Sequence, residues 1–326
     1  MMIIGIDVSK AKLDCLWLKD SARNKVKTRV VPNTPKGFVT LLDWAVKQTQ
    51  EPVATVHFIM EATGVYHEAL AYALHEAGAR VSVVNPARIH DYGKSLGVRS
   101  KTDKKDSYVI ARYGATQHPA LWQPEPRAIR QLKALIARLN AVEKDVQRER
   151  NRLEKAEISQ SSAAVITSIN TVLTQLETEQ KRLEVLINDH IDQHPDLKQD
   201  RALLESIPGV GPVISRMMVA ILRSRAFDSA SQSAAYLGLV PKHHESGSSV
   251  RGRSRLTKAG DATIRAKLYM AAVVSTQHNP DIKQQYERLL KNGKAKMSAL
   301  CAAMRKLVHI CFGVLKHQQP YQPQCL

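Results

Sequence analysis

The stretch Met2–Asp20, MIIGIDVSKAKLDCLWLKD, decides the reading of the amino-terminal part of the chain. MIIGIDV and KLDCLWL are short, β-rich runs separated by only a few polar residues, so they read as consecutive strands. KVKTRVV (Lys25–Val31) supplies a third strand. Downstream, Gly37–Gln48 (GFVTLLDWAVKQ) has a helical period, Val53–Met60 (VATVHFIM) reads as a buried strand, His67–Gly78 as a helix and Arg80–Asn85 as another strand before a further helix. Three strands followed by alternating helices and strands make an α/β domain. Pro119, Pro124 and Pro126 in HPALWQPEP then mark a linker.

Beyond it the pattern changes. Leu132, Leu139, Val146 and Leu153 recur every seven residues, as do Ile169, Leu176 and Leu183, with charges between them. EISQSSAA (Glu157–Ala164) suits the bend of a helical hairpin or a coiled-coil arm, a section with a role in assembly as a homo-oligomer, dimer or tetramer. After DQHPD (Asp192–Asp196) the chain is again helical and punctuated by glycine. The expected organisation is 1–118, 119–198 and 199–326.

Composition narrows the function. Of 326 residues 44% are hydrophobic, which excludes a disordered chain, and the formal charge of +18 favours a polyanionic partner, nucleic acid first. With 5% aromatics, stacking on single-stranded bases is a weak source of specificity. No apolar run in the sequence reads as a membrane span: VISRMMVAIL is short and broken by Arg216. MMIIGIDVSK lacks the features of a signal peptide, and Cys15, Cys301, Cys311 and Cys325 show no C-x-x-C spacing. A cytoplasmic, nucleoid-associated bacterial protein with buried, reduced thiols is expected.

Four carboxylates stand out. Asp7 follows the apolar strand IIGI and Glu61 follows VATVHFIM, where an α/β sheet collects ligands. Asp103 and Asp106 in SKTDKKDSYVIARYG are spaced i, i+3 on the first turn of a helix and share a face. Such an oxygen-rich set suits Mg²⁺ or Mn²⁺. Taken singly, each acid is also explained as a turn former or a helix-start residue. GIDVSK is similar to the phosphate loop of sugar kinases, yet the second glycine-rich phosphate loop of such folds is missing here.

A second constellation lies far downstream in His243–Asp261, HHESGSSVRGRSRLTKAGD. Gly247 and Gly252 permit tight bends, and Arg251, Arg253, Arg255 and Lys258 can grip phosphate oxygens. From Ser246 through Lys267 the only acid is Asp261, so the loop repels Mg²⁺ and attracts a scissile phosphate. Composition does not choose among Ser246, Ser248 and Ser249, and a solvated loop has the same composition. Lys101, Lys104 and Lys105 form a further basic run able to contact a nucleic-acid backbone. SIPGVGPVIS (Ser206–Ser215) resembles the hairpin of helix-hairpin-helix modules, although a plain helix-to-helix turn explains it equally.

GIDVSKAKLD, MEATGVYHE, VNPARIHDYGKSLGVRSKTDKKDSYVIARYG, SIPGVGPVISRMMVAIL, LGLVPKHHESGSSVRGRSRLTKAGD and NGKAKMSALCAAMRKLVHICFGVLK together resemble the DEDD transposases of the insertion sequence 110 family over nearly the whole chain. The resemblance implies an RNase H-like (RuvC-like) α/β amino-terminal domain, a helical coiled-coil middle section and a mainly α-helical transposase domain. It implies Asp7, Glu61, Asp103 and Asp106 as metal ligands and Ser246 as nucleophile, forming a 5′-phosphoserine linkage and freeing a 3′-hydroxyl. It further implies donor and target double-stranded DNA, a bridge RNA as guide, and a site whose halves meet between subunits. Two other readings compete: a RuvC-like junction nuclease using metal-activated water, and a DNA-packaging protein without catalysis.

Overall fold

The computed structural model describes residues 2–20, 23, 25–97, 103–242, 245–246, 250–251, 255–257 and 260–323. Two compact units result, 1–124 and 125–326.

In the first unit, β1 (Met2–Val8), β2 (Lys12–Asp20) and β3 (Lys25–Pro32) form an antiparallel meander. Helix α1 (Pro35–Thr49) follows, begun by Thr34, whose hydroxyl accepts from the Gly37 amide at 3.3 Å. Then come β4 (Val56–Glu61), α2 (Glu68–Glu76), β5 (Arg80–Val84), α3 (Pro86–Ser95) and α4 (Asp103–Gln117). The sheet order is β3-β2-β1-β4-β5, with β1, β4 and β5 parallel. One more helix stands after β5 than the periodicity implies, because α3 ends at Gly97, in the left-handed region at φ +71°.

Helices cover both faces of this sheet, so its central strands are apolar on both. Ile4, Ile6, Val8, Leu13, Cys15 and Trp17 pack with Phe38 and Leu41 of α1 and Leu70 and Leu74 of α2. Ile3, Leu16, Leu18 and Ile59 pack on the other face with Ile89 of α3 and Val109, Ile110 and Ala111 of α4. A mixed five-stranded sheet in this order, sheathed by helices on each side, is an RNase H-like domain.

In the second unit α5 (Arg127–Ile158) and α6 (Ala163–Asp192) form an antiparallel helical hairpin. Arg150 meets Glu177 at 2.7 Å midway, and His190 Nε2 lies 2.8 Å from the Ala128 carbonyl near the base. The bend falls at 159–162, where the polar run anticipates it. Near the base, Leu132, Leu139, Val146 and Leu183 are buried in one core with α7 (Pro195–Glu205), α8 (Pro212–Leu222), α9 (Ala230–Tyr236), α10 (Ala262–His278), α11 (Pro280–Lys291) and α12 (Lys296–His317). On its outer faces the hairpin leaves apolar side chains uncovered, Ile158, Val165 and Val172 toward the bend and Val185 toward the base.

Among the described residues α12 is the one helix long and apolar enough to cross a membrane, a property the sequence reading did not assign to it. Its Met304, Leu307, Val308 and Cys311 are buried in the helical core, which accounts for the apolar composition. Burial pushes the Cys15 thiol well up and the Cys311 thiol up to about 12. Cys301 is half-buried, and Cys325 lies outside the described residues.

Candidate catalytic site

The register of β1 against β4 brings the first two carboxylates together. Ile6 stands beside Met60, and the next residues along these parallel strands are Asp7 and Glu61. Alternation puts Asp7 on the face of Gly5 and Ile3, and Glu61 on the face of Ile59. Ile3 and Ile59 both pack under α3 and α4, so the two acids share that face. Both are half-buried.

Helix α4 crosses the same face closely. A Cβ on Gly5 would lie 2.4 Å from the Ser107 carbonyl oxygen and 2.5 Å from the Ala111 nitrogen. Only glycine admits the helix at that distance. Asp106 immediately precedes Ser107, and Asp103 begins the helix, so the first turn of α4 starts one step from the strand position two residues before Asp7. Of Asp103 and Lys104 the backbone alone is described; Lys105 is exposed, and Lys101 lies outside the described residues.

A further acid on this face was not singled out from sequence. Asp14 of β2 is the cross-strand partner of Asp7, and its Oδ2 lies 3.1 Å from Lys12 Nζ. The signal was present: pairing outward from the turn Ser9–Ala11 matches Val8 to Leu13 and Asp7 to Asp14. Among the described residues no group of three or more His, Cys, Asp or Glu side chains is gathered closely enough to hold a metal. The donors suit a hard divalent cation all the same: Asp7 and Glu61 offer carboxylate oxygens from adjacent strand ends, and Gly5 leaves room for α4 to add its own.

The serine segment belongs to the second unit and is not a featureless loop. Strands β6 (Pro241–Lys242) and β9 (Arg255–Leu256) pair antiparallel, and between them β7 (Glu245–Ser246) pairs with β8 (Val250–Arg251). Ser246 is opposite Val250, at the inner end of the second pair. Two-residue strands are too short for a period of two to register in sequence, which is why the segment reads as a loop. For Ser246, Arg251 and Arg255 the backbone alone is described; Ser248, Ser249, Arg253 and Lys258 lie outside the described residues. Asp261 caps α10, its carboxylate accepting from the Thr263 amide at 2.7 Å.

The hairpin between α7 and α8 has its own explanation for one glycine. Gly209 takes φ +95°, and a Cβ there would meet Ser275 Oγ at 2.1 Å, so it lets the turn seat on α10. Gly211, with nothing within 4 Å of an added Cβ, leads openly into Pro212.

These features have counterparts in known proteins. The family model for DEDD transposases of the IS110 kind matches residues 4–156, and the model for transposases of the IS116/IS110/IS902 family matches residues 201–287. A pilin gene-inverting protein of Moraxella bovis is 35% identical over 322 residues, 98% of this chain and 97% of that protein. The chain is an IS110-family transposase.

The Moraxella lacunata pilin gene-inverting protein is 34% identical to this transposase over the same shares of the two chains. An uncharacterised protein of insertion element IS110 from Streptomyces coelicolor is 26% identical over 48% of the transposase and 38% of its own length. Among solved structures, Thermus thermophilus RuvC is 15% identical and matches 37% of the transposase and all of that chain, with a TM-score of 0.26. The fold assignment rests on the strand order and sense described above. As an IS110-family transposase, the protein is a DNA-cleaving and rejoining enzyme.

Proposed function

We propose that this transposase excises and inserts a mobile DNA element through a covalent phosphoserine intermediate, using a divalent metal held by Asp7, Glu61, Asp103 and Asp106. The observation that carries the reading is the β1/β4 register, which sets Asp7 beside Glu61 on the face that α4 crosses at Gly5. Mg²⁺ or Mn²⁺ bound there would polarise the scissile phosphodiester and stabilise charge on the attacking and leaving oxygens. Ser246 Oγ attacks the phosphorus; the bond to the 3′-oxygen breaks, and that oxygen leaves as a 3′-hydroxyl carrying a proton. The phosphoserine link to the 5′ end exchanges one phosphodiester for another, so the bond energy is conserved for rejoining when a 3′-hydroxyl attacks it in turn and Ser246 leaves with a proton.

Arg251, Arg253, Arg255 and Lys258 would clamp the phosphate through charge-assisted hydrogen bonds, and Lys101, Lys104 and Lys105 would contact the DNA backbone. The acids and the serine belong to different compact units of one chain. We infer that they converge between copies in a dimer or tetramer, supported by the α5–α6 hairpin with its uncovered Ile158, Val165 and Val172 as a coiled-coil means of pairing. Donor and target selection is assigned to a bridge RNA; a charge of +18 with few aromatics fits backbone contact with two nucleic acids better than base stacking.

Trapping of denaturation-resistant protein–DNA adducts tests the reading. The wild type should give an adduct that requires divalent metal and vanishes in Ser246→Ala and in Asp7→Asn. Strand cleavage by Ser246→Ala at the wild-type rate, without adduct, would instead identify a junction nuclease using metal-activated water.

A further inference from the structure

The ladder between β1 and β4 is described as far as Ile6 and Met60, one residue short of the two carboxylates. Beyond that point Asp7 and Val8 stay paired with β2 and Glu61 with β5, and a side chain from just after β3 ties the two segments to each other. Asn33, directly after β3, donates from Nδ2 to the Ser9 carbonyl at 2.9 Å and to the Tyr66 carbonyl at 3.0 Å. Ser9 is two residues past Asp7, and Tyr66 lies in the turn that follows Glu61. A single amide thus bridges the segments leaving both acid-bearing strands. Because β1, β3 and β4 run in the same sense, their carboxyl ends meet at one edge of the sheet.

Both ends of this bridge are independently held. The Asn33 amide donates to the Ala11 carbonyl at 3.0 Å, and the next residue, Thr34, caps α1. Gly37 packs so tightly under the strand that a Cβ would lie 1.9 Å from the Pro32 carbonyl oxygen. On the receiving side, Ser9 Oγ donates to the Lys12 carbonyl at 2.8 Å and accepts from the Lys12 amide at 3.1 Å. The Tyr66 amide donates to the Thr63 carbonyl at 3.1 Å, closing the turn after Glu61. Two fixed carbonyls need a group with two N–H donors on one nitrogen, which a carboxamide supplies and a hydroxyl or carboxylate does not.

We propose that Asn33 is a positioning residue for the metal site: by tying Ser9 to Tyr66 it sets the separation of the Asp7 and Glu61 carboxylates. This rests on the reading of those two acids as metal ligands. Groups that orient ligands without touching the metal commonly account for about 10–100-fold in affinity, and a loss in that range is expected here.

The test is Mn²⁺ titration of the full-length protein without DNA, following the free-ion signal by electron paramagnetic resonance. Asn33→Ala should weaken Mn²⁺ binding at least about 10-fold, with strand cleavage falling in parallel. Asn33→Leu, neutral and similar in size, should do the same if Asn33→Ala does not fold. Thr49→Val removes a buried hydroxyl at the far end of α1, where it donates to the Ala45 carbonyl, and should lower the melting temperature without moving Mn²⁺ affinity. Binding in Asn33→Ala and Asn33→Leu within two-fold of wild type, where Asp7→Asn still abolishes it, would overturn the positioning role and leave the metal reading intact. Wild-type binding indifferent to Asp7→Asn would remove the metal reading and this proposal together.

Discussion

Replacing Gly5 with alanine perturbs the site without touching any candidate ligand. The new Cβ would stand 2.4 Å from the Ser107 carbonyl oxygen, 2.5 Å from the Ala111 nitrogen and 2.8 Å from the Ala111 Cβ. Two of these are backbone atoms, so no rotamer change relieves them; α4 must retreat by at least 0.6 Å to reach even a 3.0 Å contact. Overpacking of a closed core costs about 1–3 kcal/mol, and a clash with backbone belongs at the upper end. For a unit of this size that lowers the melting temperature by roughly 6–12 °C.

The functional effect should be larger than the stability effect implies. Reactive constellations tolerate about 0.5 Å of displacement, and 1 Å can cost about 100-fold. Since Asp103 and Asp106 move with α4 while Asp7 stays with β1, recombination on a plasmid carrying two element ends should fall about 10–100-fold at a temperature where the variant is folded. Gly78→Ala is the matched control. Gly78 has φ +77° and open space around it, so alanine there costs about 1–2 kcal/mol of backbone strain without moving α4. Its recombination should stay near wild type. Full activity in Gly5→Ala, or equal losses in the two variants, would refute the argument that α4 docking on Gly5 sets the carboxylate geometry.

Other outcomes follow from single interactions. His57 is 3% exposed, with Nε2 at 2.8 Å from Ser82 Oγ, and burial together with Arg80 holds its pKa down to about 4 against an ordinary 6.5. The unfolded chain therefore binds the proton more readily, so this group's contribution is complete above pH 6.5 and is lost as pH falls toward 4. It amounts to about 3 kcal/mol; melting curves of wild type and His57→Gln should converge over that interval. Asp200, 1% exposed, accepts from Arg223 at 2.5 and 2.7 Å and from Gln318 at 2.9 Å. Asp200→Ala should destabilise the helical unit by about 2 kcal/mol in urea unfolding, less than a fully buried pair because Arg223 is partly exposed. If copies pair through the hairpin as proposed, glutamate at both Val165 and Val172 should leave the monomer folded and shift the sedimentation coefficient from that of an oligomer to that of a single chain.

Much of this molecule is written locally. The strands MIIGIDV and KLDCLWL, the helix over 37–48 and the hairpin bend near 160 follow from periods of two, 3.6 and seven and from polar breaks, all of which depend on residues close in sequence. The family motifs also stand in continuous phrases, and so Asp7, Glu61, Asp103, Asp106 and Ser246 could be singled out as candidates without coordinates. Tertiary structure decided the rest, because pairing between distant segments leaves no local trace. Gly5 acquired its meaning only when α4 lay across it, and the Asn33 bridge spans 24 and 33 residues of sequence, whereas the pairing of Asp14 with Asp7 was legible in the short hairpin. The same reason separates two kinds of apolar helix: composition made α12 long and hydrophobic, and only packing against the other helices determined that this face is interior.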